Sequence, residues 1–90
     1  MIISQTKIFG KQKKKLHPNQ LNSLDEAVKE IITDPHVGDL KKSDLQGIKV
    51  YKCKIINQEY LIAYTIAENQ LCLLSIGAHE NFYRDLKKTL

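Results

Sequence analysis

Tryptophan is absent from this chain, cysteine and proline occur twice each, and no apolar run approaches the roughly 20 residues needed to span a bilayer. Each scarcity excludes something. Cys53 and Cys72 lack a Cys-x-x-Cys spacing and do not supply enough ligands for zinc, so no metal and no other cofactor is expected. Both fall inside expected strands and read as reduced thiols, and a disulfide is open to them only if their strands are neighbours. The opening Met1-Ile2-Ile3-Ser4 turns polar too early for a secretory signal peptide, which points to the cytoplasm and away from membranes. Neither an internal repeat nor a low-complexity segment is seen.

What the chain does contain suits one small domain over 1–90. Its hydrophobic fraction of 42% fits a folded chain rather than a disordered one. So short a chain builds one marginal core and no large internal cavity, so chemistry is expected on an open face or shallow groove. Fourteen Lys and Arg against ten Asp and Glu leave a net charge of +4, which favours a polyanion or an acidic protein segment as partner.

The expected element order is β-α-α-β-β-β-α, an α+β fold with a small antiparallel sheet, an N-terminal helix hairpin and a short C-terminal helix. A strand is expected over 1–5 and a helix from Thr6 to about Leu16, with Phe9 and Leu16 inward and Lys7, Lys11, Lys14 and Lys15 outward. Pro18 suits the first turn of a second helix that runs to Thr33, with Leu21, Leu24, Val28, Ile31 and Ile32 as its core stripe. Asp34-Pro35 stops it. The charged connection from Pro35 to Gly47 follows, with Leu40 and Leu45 as expected anchors on the core. In Val50-Tyr51-Lys52-Cys53-Lys54-Ile55 the residues Tyr51, Cys53 and Ile55 alternate with Val50, Lys52 and Lys54. A turn is expected at Asn57-Gln58, then a central strand from Glu59 to Ile66, a turn at Ala67-Glu68-Asn69, a strand from Gln70 to Ile76, and a last helix starting at His79 or Glu80. Its buried stripe is expected to be Phe82 and Leu86 with Thr89 or Leu90.

Four side chains near the end of this order could carry chemistry. Lys52 and Lys54 share a strand face at a spacing of about 7 Å, which suits adjacent backbone phosphates. His79, at the mouth of the last strand, belongs to the residue type that moves protons near neutral pH. Tyr83 stands four residues on, hence on the same helix face, and could stack on a base. Taken singly, each also has a plain structural role: solubilising strand lysines, a helix-start histidine, a core-edge ring.

The segments Phe9 to Leu16, Asp34-Pro35, Lys41-Lys42-Ser43-Asp44-Leu45-Gln46-Gly47, Tyr51-Lys52-Cys53-Lys54, Tyr60-Leu61-Ile62-Ala63-Tyr64 and Gly77-Ala78-His79-Glu80-Asn81-Phe82-Tyr83 stand in the order seen in the RelE/ParE toxin superfamily. The chain resembles that superfamily along nearly its whole length. Such a resemblance implies a type II toxin held by a cognate antitoxin, with operator DNA bound only through the antitoxin complex. For a RelE- or YafQ-like member it further implies a ribosome-dependent mRNA endonuclease that drives the 2′-hydroxyl onto the adjacent phosphate without a metal.

Carried onto this sequence, the resemblance makes His79 the proton-transfer group, Lys52 and Lys54 the phosphate-neutralising pair and Tyr83 the base support. Lys41, Lys42, Arg84, Lys11 and Lys14 become RNA contacts. Where RelE-like enzymes carry arginines, on the central strand and near the start of the final segment, this chain has Leu61 and His79. Transition-state charge then rests on the lysines and Arg84. Two alternatives stand beside this reading: a ParE-like inhibitor that acts by binding DNA gyrase, and a family member without catalysis.

Overall fold

The computed structural model describes residues 2–40 and 47–88. Its elements are β1 (Ile2–Gln5), α1 (Lys7–Lys14), α2 (Pro18–Thr33), β2 (Asp39–Leu40), β3 (Lys49–Ile55), β4 (Gln58–Ala67), β5 (Gln70–Ala78) and α3 (His79–Lys88). The expected order is present, with a two-residue strand, β2, added in the connection after α2. The strands form one sheet in the order β1-β5-β4-β3-β2. Neighbours run antiparallel except β1, which lies parallel to β5 in the register Ile2↔Gln70 to Gln5↔Leu73.

Local chemistry explains the helix boundaries. Thr6 caps α1, its Oγ1 accepting the Phe9 N–H at 3.0 Å and donating to the Leu74 carbonyl at 2.7 Å. At the start of α2, Pro18 brings a preset φ and the Gln20 carboxamide accepts the His17 N–H at 2.8 Å. Asp34, ahead of Pro35, leaves the helical region at φ −138° and ψ 89°.

The sheet separates two cores. On one face α1 and α2 bury Phe9, Leu24, Ala27 and Ile31 against Ile55, Ile62, Tyr64, Leu71, Leu73 and Ile76. On the other, Phe82 and Leu86 of α3 cover Ile48, Val50, Leu61 and Ala63. Strand alternation therefore sends Tyr51, Cys53 and Ile55 toward α2, and Val50, Lys52 and Lys54 toward the α3 side.

Several expectations need correction. Ile32 is exposed and Ala27 takes its place in the α2 stripe, because the helix rotates Ala27 and Ile31 together onto the sheet. Leu40 is no anchor: on the outermost strand it remains 58% exposed. Cys53 and Cys72 are half-buried free thiols on β3 and β5 with β4 between them, so the pair cannot bond. The first hairpin turns at Ile56-Asn57, one residue earlier than expected, since Ile55 pairs with Gln58. Leu45, Thr89 and Leu90 lie outside the described residues.

A tyrosine organises the exit from α2. The buried Tyr64 hydroxyl accepts the Gly38 N–H at 3.0 Å and donates to the Pro35 carbonyl at 2.6 Å. The chain thereby reaches β2 on a path fixed from the centre of the sheet, and burial raises the pKa of this phenol.

Candidate functional site

The α3 side of the sheet is built in rows. Lys52 pairs with Leu61, which pairs with Gly77, and Lys54 pairs with Glu59 on the next row of the same face. β5 ends at Ala78, opposite Tyr60, and α3 begins at His79. The backbone at position 79 thus stands about 10 Å from the Lys54 strand, two inter-strand spacings away. The His79 side chain lies outside the described part of the structure.

Tyr83 is half-buried on α3, its ring meeting Phe82 edge-on at a centroid distance of 5.2 Å and an interplanar angle of 85°. Buried Phe82 holds that contact and so fixes where Tyr83 can point. Lys52, Lys54 and Tyr83 accordingly share one face, bordered by the start of α3. Arg84 is exposed on the same helix. Lys11 and Lys14 do not join them, because α1 packs on the opposite face. Lys41 and Lys42 lie outside the described residues.

The sequence reading missed Glu59. Its carboxylate comes within 3.7 Å of the Lys52 ammonium, an open ion pair with side chains 63% and 41% exposed. The signal lay in the turn: a hairpin loop at Ile56-Asn57 places Glu59 opposite Lys54 and diagonal to Lys52, whereas one at Asn57-Gln58 would place it opposite Ile56, with Lys54 as its diagonal neighbour. The face thus carries two ammoniums, that of Lys52 beside the Glu59 carboxylate. That set can neutralise a phosphodiester and accept a proton in the same place. Among the described residues, no cluster of three His, Cys, Asp or Glu side chains comes together to hold a metal ion.

A second concavity lies across the sheet. β2 pairs only with Lys49 and Val50, so among the described residues no strand covers the outer edge of β3 from Tyr51 to Ile55. Between that edge and α2 runs a groove of about 350 Å³ lined by Ser23, Glu26, Ala27 and Glu30 of α2 and by Tyr51, Lys52, Cys53 and Lys54 of β3, so it also reaches the two lysines. The Tyr51 hydroxyl donates to the Glu30 carboxylate. This hydrogen bond, aided by burial, pushes the phenol up to about 12. Burial, with Glu30 nearby, pushes the Cys53 thiol up to about 11 and keeps it protonated.

Comparisons with known proteins agree with this architecture. A double arginine-to-alanine variant of the E. coli toxin RelE in the free state superposes with a TM-score of 0.73 at 16% identity, covering 99% of this chain and 96% of that one. The intact E. coli RelBE toxin-antitoxin complex gives 0.68 at 18% identity, with 88% and 96% covered. The chromosomal ParDE toxin-antitoxin system of P. aeruginosa gives 0.64 at 13% identity, with 89% and 97% covered. At such identities these are likenesses of fold. No curated protein sequence matches the chain at a significant level. The family model described as ParE-like toxin of type II bacterial toxin-antitoxin system matches residues 3–87. Five strands in this order, helices on both faces and a sequence match over almost the full length lead to one conclusion: the chain belongs to the ParE-like toxins of type II bacterial toxin-antitoxin systems.

Proposed function

We propose that this toxin is a ribosome-dependent mRNA endonuclease of the cytoplasm, working without a metal on the α3 side of the sheet. What supports the proposal is that Lys52, Lys54 and Glu59 share the α3 side of the sheet with Tyr83, with Lys52 and Glu59 within 3.7 Å of each other. The Glu59 carboxylate accepts the proton of a ribose 2′-hydroxyl as its oxygen attacks the adjacent phosphorus. The bond from phosphorus to the 5′-oxygen breaks, and His79 donates a proton to that departing oxygen. A 2′,3′-cyclic phosphate and a 5′-hydroxyl result, so atoms and protons balance. Lys52 and Lys54 offset the charge that builds on the phosphoryl oxygens, and Tyr83 stacks on a base.

The partner in this reading is a cognate antitoxin. Its extended segment adds to the uncovered β3 edge and fills the groove beside α2, where main-chain hydrogen bonds supply affinity and alternate side chains supply specificity. Operator DNA is reached only through that complex.

Replacing His79 by Ala should restore growth to cells expressing the protein and abolish mRNA cleavage, mapped by primer extension. Normal cleavage by that variant would refute the mechanism. A second reading draws on the ParE-like description of the family and on the pairing of Lys52 with Glu59, which leaves less net charge for RNA: inhibition of DNA gyrase by binding alone. A supercoiling assay with purified gyrase separates the two.

A further inference from the structure

The uncovered edge of β3 lies between two rows of opposite charge. On the α3 side of the sheet that edge carries Lys52 and Lys54, both exposed. On the other side stands α2, which runs alongside β3 in the opposite sense. Glu30, near the end of the helix, accepts the Tyr51 hydroxyl, while His17 and Gln20, at its start, share a concavity with Ile55. Glu26 and Glu30 both line the groove, one helical turn apart and about 6 Å along the axis. Alternate residues of a strand are spaced by about 7 Å. A strand laid on this edge therefore keeps step with both rows, one set of its side chains beside the lysines and the other over the glutamates.

The same pattern selects the occupant. A second copy is disfavoured: β3 paired antiparallel with β3 about Cys53 sets Lys52 of each copy opposite Lys54 of the other, and like charges facing across a ladder destabilise it. A purely acidic segment is repelled by Glu26 and Glu30, and a purely basic one by Lys52 and Lys54. Glu26 and Lys54 have no ion-pair partner among the described residues, which leaves one charge of each sign to be matched from outside.

We infer that the β3 edge takes an extended protein segment of alternating charge, with acidic residues beside Lys52 and Lys54 and basic residues beside Glu26 and Glu30. The carboxylates of such a segment neutralise the lysine pair, so filling the edge silences the α3 side of the sheet. That consequence rests on the endonuclease reading above; the charge pattern does not.

The test is fluorescence anisotropy of the purified toxin with two labelled peptides, Thr-Val-Glu-Lys-Glu-Lys-Val-Thr and Thr-Val-Glu-Glu-Lys-Lys-Val-Thr. They share composition and net charge, but only the first segregates its charges by strand face. The alternating peptide should bind about 10-fold tighter than the block peptide and slow hydrogen exchange at the amides of residues 51–55. Glu26→Lys and Lys54→Glu should each weaken it several-fold. Asp25→Lys, the same change of charge at an exposed position outside the groove, should not, and thermal melts establish that each variant is folded. Equal binding of the two peptides, no protection of residues 51–55, or a free toxin that sediments as a dimer which the peptide dissociates would overturn the inference. Cleavage is read separately, by primer extension in a translation extract, where persistence at saturating peptide would overturn the silencing. A toxin that binds the alternating peptide as stated but never cuts mRNA would support the docking pattern while refuting the endonuclease reading.

Discussion

Replacing Gly38 with alanine should destabilise the protein out of proportion to one methyl group. Gly38 is buried, and its φ is not among the positive ones, so alanine meets no backbone penalty there. The obstacle is Tyr64. A Cβ at position 38 would sit 2.6 Å from its hydroxyl oxygen, 2.9 Å from Cε1 and 3.1 Å from Cζ. The ring is fully buried among Ile31, Ile62 and Leu73 and cannot swing away, so the hydroxyl must leave the Gly38 N–H and the Pro35 carbonyl. Two lost hydrogen bonds at about 1 kcal/mol each, with the strain of overpacking, give a cost of about 2 to 4 kcal/mol. For a domain of this size that lowers the melting temperature by roughly 10 °C or more. Tyr64→Phe loses the same bonds without the clash and should cost about 2 kcal/mol. Because both singles lose the same two bonds and Phe also removes the nearest clashing atom, the double variant should cost at least about 2 kcal/mol less than the sum of the singles. Urea unfolding followed by circular dichroism measures all three. A Gly38→Ala variant within about 0.5 kcal/mol of the parent, or strict additivity, would refute the reasoning.

Ile56 opens the first hairpin loop at φ 53°, a region that penalises a β-branched residue, and its side chain is 45% exposed; Ile56→Gly should therefore raise stability by about 1 kcal/mol in the same urea assay. Cys53 has a pKa of about 11 in the fold against 9.0 for a free thiol, so at pH 8 its alkylation should run at least about 100-fold below that of a free thiol, read by mass spectrometry. The sign for stability follows: a group whose folded pKa is raised contributes fully below its unfolded value, so the Cys53 contribution is present below pH 9 and lost as pH rises from 9 toward 11. Glu59→Gln should change stability by under about 0.5 kcal/mol, since the ion pair with Lys52 is solvent-exposed, yet abolish mRNA cleavage if Glu59 is the base.

Periodicity carried most of the architecture. Leu24, Ile31 and their neighbours mark α2, and the alternation of Tyr51, Cys53 and Ile55 with Lys52 and Lys54 gave both the strand and its polar face. Features without a pattern were invisible. A strand as short as β2 has no period to read, and nothing in Ile2-Ile3-Ser4-Gln5 says that its partner lies at the far end of the chain or runs parallel. The site was half legible for a related reason. Side chains on one strand declare their shared face, but which lysine Glu59 lies beside depends on a register set by a loop that lacks glycine, where turn chemistry gives little guidance. Tyr64 read as an apolar strand residue, and its hydroxyl acquires a role only once Gly38 and Pro35 arrive beneath it.

The parallel pairing of β1 with β5 has a consequence for synthesis. The first strand emerges early but must wait for Gln70 to Leu73 before it has a place in the sheet, and Thr6 likewise waits for the Leu73 and Leu74 carbonyls. Since α1 is tethered through Gln12 to Ser75 and Ile76, its lysines gain their final orientation only then. The N-terminal strand and helix thus take their final places late in synthesis, only once residues 70–76 exist, although they are made first.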